Sequence, residues 1–267
     1  MANARAENCD FCEIGHEGLG GGSPGLSKRQ LHGDARTGLG VYADIAPVKF
    51  GHLLLIARGH DLTMATALAG DDERWRYVDA VREAYLKTFL GTGLTILEHG
   101  SGGMGHRRDC IEHAHWHLLP FEHELGEIVD EDLRSAVTDG RAEKEDLGDI
   151  HALGTRHSER NYLLYLDHGK DPVPTSPPAR VSLYSLETSL PHQQYTRSVG
   201  YRYLAGANGA QVGALDWDWA LHAGGELVRQ TMTKQSEFAQ HVDAVLRRPT
   251  SGALRETTNT SPVLTTA

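Results

Sequence analysis

Three histidines stand at alternate positions in His113-Ala114-His115-Trp116-His117-Leu118-Leu119-Pro120, the densest run of reactive groups in a chain that holds 16 histidines. Alternate residues of a β-strand share a face, so a strand here sets the imidazoles along one side, about 7 Å from one to the next. A neutral imidazole is a good nucleophile near neutral pH because its ordinary pKa is about 6.5. One ring can attack phosphorus while its neighbour serves the leaving group. The same rings could instead cage a metal directly. That second chemistry fits less well. A metal-hydrolase pattern adds an Asp and another His just afterwards, where Leu118 and Leu119 stand, and Glu122 comes too late for a cupin cage. The plain alternative is a surface histidine ladder, against which the strict period of two and the apolar flanks both speak. A second cluster opens the chain, Cys9-Asp10-Phe11-Cys12. A structural zinc site needs four N or S ligands, and a C-x-x-C supplies two of them; two reduced thiols with no metal are the alternative.

The elements that must hold these residues can be read from periodicity and punctuation. Residues 41–45 and 52–57 read as strands, with Pro47 and Gly51 marking the turn between them. Residues 61–68 fit one short helix. A longer helix follows: Asp71, Asp72 and Glu73 favour a helix N-terminus, and Trp75, Val78, Val81, Tyr85 and Phe89 recur at three- and four-residue spacing. Residues 94–97 and 111–119 read as strands on either side of a Gly-rich loop at 100–105. Residues 124–145 are acidic and read as short helical pieces. Strands are expected at 162–166 and 181–186, and helices around Tyr195, Val199 and Tyr203 and around Phe238, Val242, Val245 and Leu246. Helices embedded among strands joined by short turns predict an α+β fold with a mainly antiparallel sheet and packed helices.

Composition narrows the function. Lys and Arg number 26 against 36 Asp and Glu, a net charge of −10, which argues against nucleic-acid backbone binding. No apolar run approaches the roughly 20 residues that cross a bilayer, so no membrane span is expected. The first residues lack an apolar core, so no secretory signal is expected. Three cysteines in 267 residues do not make a disulfide framework, which points to the reducing cytoplasm.

The His-x-His-x-His run closed by apolar residues and Pro resembles the histidine-triad (HIT) superfamily of nucleotide hydrolases and transferases. Asp44-Ile45-Ala46-Pro47 resembles that family's Asp-x-x-Pro strand end, and Gly51-His52-Leu53-Leu54-Leu55-Ile56-Ala57-Arg58-Gly59-His60 its Gly-His strand. The Gly-rich segment before the triad completes the order, and the resemblance spans roughly residues 7–122. It implies a HIT-like catalytic domain over 1–125; residues 126–248 exceed what that domain needs and read as a C-terminal α/β extension packed on it, and 249–267, rich in Thr and Ser with little to bury, read as a disordered tail. It implies His115 as nucleophile and His117 at the scissile phosphate and leaving group. Asp44 would accept hydrogen bonds from ribose hydroxyls; a turn-capping role is its plain alternative. The zinc-containing branch, related to galactose-1-phosphate uridylyltransferases, implies a structural zinc on Cys9, Cys12, His60 and His113. A homodimer is the family's common assembly.

The chain departs from the family at the phosphate. Asp109 and Cys110 stand where Gln-Ser or Gln-Thr often holds phosphate oxygens, and Glu98 stands where an Asn is common. Glu98 is therefore expected beside the substrate, with Arg107 or Arg108 offsetting its charge. Gln194 and Arg197, three apart, could turn to one side of a helix and meet an anion, although a solvated amphipathic helix explains them too. Trp217-Asp218-Trp219 reads as packing. The expected activity is hydrolysis of a nucleotide or nucleotide conjugate through a nucleotidyl-histidine. The alternatives are nucleotidyl transfer, which the third histidine disfavours because transferases often carry Gln there, a non-catalytic nucleotide-binding module, and a catalytic metal held by the triad.

Overall fold

Apolar five-residue strands set the centre of the molecule. In β2 (Leu39–Ala43) and β3 (Leu53–Ala57) every residue is buried, so neither face of the sheet is left to solvent there. The computed structural model describes residues 9, 11–12, 27–45, 47, 49–100, 113–120, 124–156, 162–168, 178, 180–186 and 225–249. Among them β1 (Gln30–Asp34), β2, β3, β4 (Thr95–Gly100), β5 (His115–Leu119), β6 (Ala142–Asp146), β7 (Tyr162–Asp167) and β8 (Arg180–Leu186) form one sheet. The strand order is β1-β2-β3-β5-β4-β7-β8-β6, and every neighbouring pair is antiparallel. With helices packed on it, this is the α+β, mainly antiparallel fold expected.

One face of the sheet carries the main core. Leu53, Leu55, Ala57, Trp116, Leu118, Ile96, Leu164 and Leu166 pack there with helix residues Trp75, Tyr77, Val78, Val81 and Tyr85. Helix α1 (Met64–Leu68) is capped by Thr63, whose side chain accepts from the Thr66 N–H at 3.0 Å. Helix α2 (Asp72–Thr88) is capped by Asp71, which accepts from the Arg74 N–H at 2.9 Å; Asp72 and Glu73 fill its first turn and Lys87 its last. Helices α3 (Glu124–Thr138), α4 (Leu153–Arg156), α5 (Glu226–Met232) and α6 (Gln235–Leu246) follow. Phe238 and Val242 of α6 join the main core, and α6 lies against α2 and β1.

Three sequence expectations need correction. Residues 124–145 are one 15-residue helix and then β6, not short helical pieces; Gly140, at φ 72°, closes the helix, and β8 pairs with an edge strand whose charges hid it. β1, polar and carrying Gly33, gave no strand signal, and pairing with β2 makes it one. The triad strand begins at His115, so His113 and Ala114 precede it, and residues 111 and 112 of the expected strand lie outside the described residues. Residues 126–248 supply β6, β7 and β8 to the common sheet, joined through six residue pairs from Thr95↔Asp167 to Gly100↔Tyr162. The helix expected around Tyr195 and the Trp217-Asp218-Trp219 segment lie outside the described residues, as does the expected tail apart from Pro249.

Candidate functional site

The face of β5 opposite the main core carries His115 and His117. Pairing sets His115 opposite Ile56 and His117 opposite Leu54, while Trp116 and Leu118 point into the core. Phe11, Tyr42, Leu54 and Ile56 form a separate small cluster. The ring of Phe11 stands edge-on to His115 at 5.2 Å between centroids and to His113 at 5.7 Å. Phe11 is a site residue that spacing arguments missed; its position between the two cysteines was the available signal. A shallow hollow opens beside it, bordered by Leu39, Tyr42, Ile56 and the exposed Arg58.

His113 does not continue the ladder of rings, because it lies before the strand. Its Nε2 donates to the Ala57 carbonyl at 2.5 Å, which places the lone pair on Nδ1. That Nδ1 lies 3.4 Å from Cys9 Sγ and 3.7 Å from Cys12 Sγ, and Cys12 Sγ lies 3.1 Å from His60 Nδ1. Bonds of about 2.3 Å to sulfur and about 2.0 Å to nitrogen at tetrahedral angles set S···N edges of about 3.5 Å. The four donor atoms all lie within 4.8 Å of one another, so Cys9, Cys12, His60 and His113 can hold a metal ion with little movement. Burial keeps His113 neutral, its pKa pushed down to about 4, and a neutral ring is the ligating form. A turn in which the Cys12 N–H donates to the Cys9 carbonyl at 3.0 Å brings the two thiols together.

His115 is oriented by the chain itself, its Nδ1 donating to the His113 carbonyl at 2.7 Å. Its ring meets that of His117 at 5.1 Å, edge to face. His117 is nearly buried, with Nδ1 3.0 Å from His52 Nε2, so one proton lies between these two rings. Asp44 Oδ2 completes a triangle, 3.5 Å from His52 Nε2 and 3.8 Å from His117 Nδ1. Asp44, expected at ribose hydroxyls, thus sits at the end of β2 with its carboxylate against two histidines, only 3% exposed, in the field of the buried Arg29. Gly51 sets the turn into His52. Its φ is 87°, and a Cβ there would meet the Phe89 ring at 3.0 Å. His52 is the second site residue that spacing did not assign; the Gly-His pair opening β3 carried the signal.

Glu98 is a correction. It does not face the substrate side but points into the main core, 1% exposed. There it accepts from the Met64 N–H at 2.6 Å, Trp116 Nε1–H at 2.7 Å and Tyr162 O–H at 2.6 Å. The strand reading paired Glu98 with the chemistry by position alone; its neighbour Leu97, opposite His117, holds the place on the site face. Burial pushes the Glu98 carboxyl up to about 7 against those three donors. Arg107, Arg108, Gln194 and Arg197 lie outside the described residues. No helix among the described residues is long and apolar enough to cross a membrane.

No family model matches the chain, and no curated protein matches it. Among solved structures it is similar to a Hit-like protein involved in cell-cycle regulation from Bartonella henselae, at 20% identity over 44% of this chain and 83% of that one, with a TM-score of 0.33. It is also similar to a hypothetical histidine triad nucleotide-binding protein from Sulfolobus tokodaii strain7, at 22% identity over 49% of this chain and 93% of that one, with a TM-score of 0.32. At such identities and scores these likenesses carry no functional weight.

Proposed function

We propose that this chain cleaves a nucleoside monophosphate from a phosphate ester, anhydride or amidate through a nucleotidyl-histidine on His115. The observation that carries the reading is the 2.7 Å hydrogen bond from His115 Nδ1 to the His113 carbonyl, which puts the lone pair on Nε2. In the first step Nε2 attacks phosphorus and the bond to the leaving group breaks, the leaving group taking a proton from His117. In the second, water passes a proton back to His117 while its oxygen bonds to phosphorus and the bond to the imidazole breaks, releasing the nucleoside monophosphate. Each displacement spreads charge over the phosphate oxygens, so catalysis rests on positioning and neutralisation. Arg107 and Arg108 are assigned to that charge, Gln194 and Arg197 to further anion contacts, and Asp44 to the ribose hydroxyls alongside its contacts with His52 and His117.

Zinc is the metal proposed for Cys9, Cys12, His60 and His113. Four protein donors close the tetrahedron, so the ion's part is structural. It would tie the turn at Cys9 and Cys12 to the segments after β3 and before β5, and so hold the carbonyl that orients His115. A homodimer in the cytoplasm completes the proposal; a light-scattering mass near the 29.2 kDa of one chain would exclude the dimer.

The test is a screen of nucleoside-monophosphate esters, anhydrides and amidates for released nucleotide. Rapid quench under alkaline conditions and mass spectrometry should then find a nucleotidyl adduct on His115. His115→Ala should lose turnover while keeping its metal and nucleotide binding. A protein that binds nucleotides but leaves all three substrate classes intact is a binding module instead, and substantial activity in His115→Ala would refute the mechanism.

A further inference from the structure

Among the described residues one other group of ligating side chains converges: Asp44, His52 and His117. We propose that these three form a second cation site, a two-histidine, one-carboxylate triangle for a divalent first-row transition ion. The donor atoms stand 3.0, 3.5 and 3.8 Å apart. Metal bonds of about 2.1 to 2.2 Å at angles from about 90° to 120° set donor edges of about 3.0 to 3.8 Å. An ion therefore fits the triangle as it stands.

The scaffold is rigid. Asp44 directly follows β2, His52 directly precedes β3 and His117 lies in β5, three strands adjacent in the sheet. The Asp44 N–H donates to the His52 carbonyl at 3.2 Å, which fixes two of the three ligands to each other. All three are nearly buried, at 3%, 4% and 8% exposure, so little water competes for them. Two imidazole nitrogens facing each other share one proton, and a divalent ion can replace that proton and meet the carboxylate as well. Three protein donors leave coordination positions for water or for an anionic oxygen. Coordination through Nδ1 also fixes the proton of His117 on Nε2. Arg29 faces Asp44 and offsets part of its charge, which makes this site weaker than the thiolate site. The absence of sulfur separates the two by ligand softness.

The inference does not rest on the nucleotidyl reaction, because metal binding reads it without turnover. Cobalt(II) is titrated into the holoprotein as purified and followed by visible and near-ultraviolet absorption and by calorimetry. The expected result is one equivalent bound with weak visible bands and no thiolate-to-cobalt charge transfer. Asp44→Asn and His52→Gln should each weaken that equivalent by more than about 100-fold, beyond the 10–100-fold that outer-shell changes give. Their far-ultraviolet circular dichroism and content of tightly held metal should match the parent, which excludes misfolding as the cause. Cobalt that binds only with thiolate charge transfer, or that binds both variants as tightly as the parent, would overturn the proposal. Saturation of the parent with no cobalt beyond the sulfur site would do so equally.

Discussion

The two ligating clusters on either side of His115 are built from opposite materials. At one end Cys9 and Cys12 meet His60 and His113, and among the described residues no strand ladder joins the cysteine turn to those histidines. At the other end Asp44, His52 and His117 sit on three adjacent strands whose hydrogen bonds already fix them. If the sulfur end holds the proposed ion, its cross-links to the rest of the sheet run through that ion. The oxygen-and-nitrogen end exists without a ligand and is available for chemistry. Damage at the first should be felt as stability, damage at the second as rate.

The largest effect is expected at the sulfur end. Cys12→Ser should lose the tightly held metal and with it several kcal/mol, lowering Tm by about 10 °C or more. Metal analysis and calorimetry on the same sample check it. Metal lost with Tm unchanged would show that the cysteine turn is not held by the ion, and the contrast between the two ends would collapse.

The opposite signature is expected from His117→Ala. General acid assistance is worth about 10²- to 10⁴-fold, so turnover should fall by that amount, more for poor leaving groups than for good ones. The tightly held metal should stay, since His117 is not among the four sulfur-end donors. Equal slowing across leaving groups would remove the proton-donor role and leave His117 as a partner of His52 and Asp44.

These contrasts were only partly legible beforehand. The long helix was readable because acids at its start and apolar residues at helical spacing agree, and Asp71 does cap it. The sulfur-end residues were named through a family likeness, and their side chains do converge. What spacing could not give was the direction of a side chain. Glu98 and Leu97 differ by one position and face opposite sides of the sheet, and the acid is the one in the core. The period of two places His113 in the same row as His115, but the strand starts two residues too late for that, and the ring turns to the cysteines. β6 was hidden because an edge strand of charged residues has no apolar pattern, and its partner β8 supplies what its sequence lacks.

Both ends also depend on β5 being held from behind, and Glu98 sharpens the comparison there. Its carboxyl anchors Trp116, the residue between His115 and His117, together with Tyr162 and the start of α1. Burial raises its pKa from 4.5 to about 7, so between those values the folded protein holds a proton that the unfolded chain has released. The native state then binds more protons, and stability falls as pH rises from about 4.5 to about 7, by about 3 kcal/mol at most. His113, pushed down to about 4, works in the opposite sense over much of the same range, with stability lost as pH falls. Comparing the parent with Glu98→Gln cancels the His113 contribution, because both proteins carry it. The amide turns an N–H₂ group toward donors, so Glu98→Gln should be less stable than the parent at low pH, by about 1–3 kcal/mol. The deficit should shrink as pH rises, since the variant has no carboxyl to ionise. Urea unfolding at pH 5 and at pH 7.5 measures both numbers. A deficit that stays constant across that interval would mean Glu98 is ionised in the folded protein throughout, held so by its three donors.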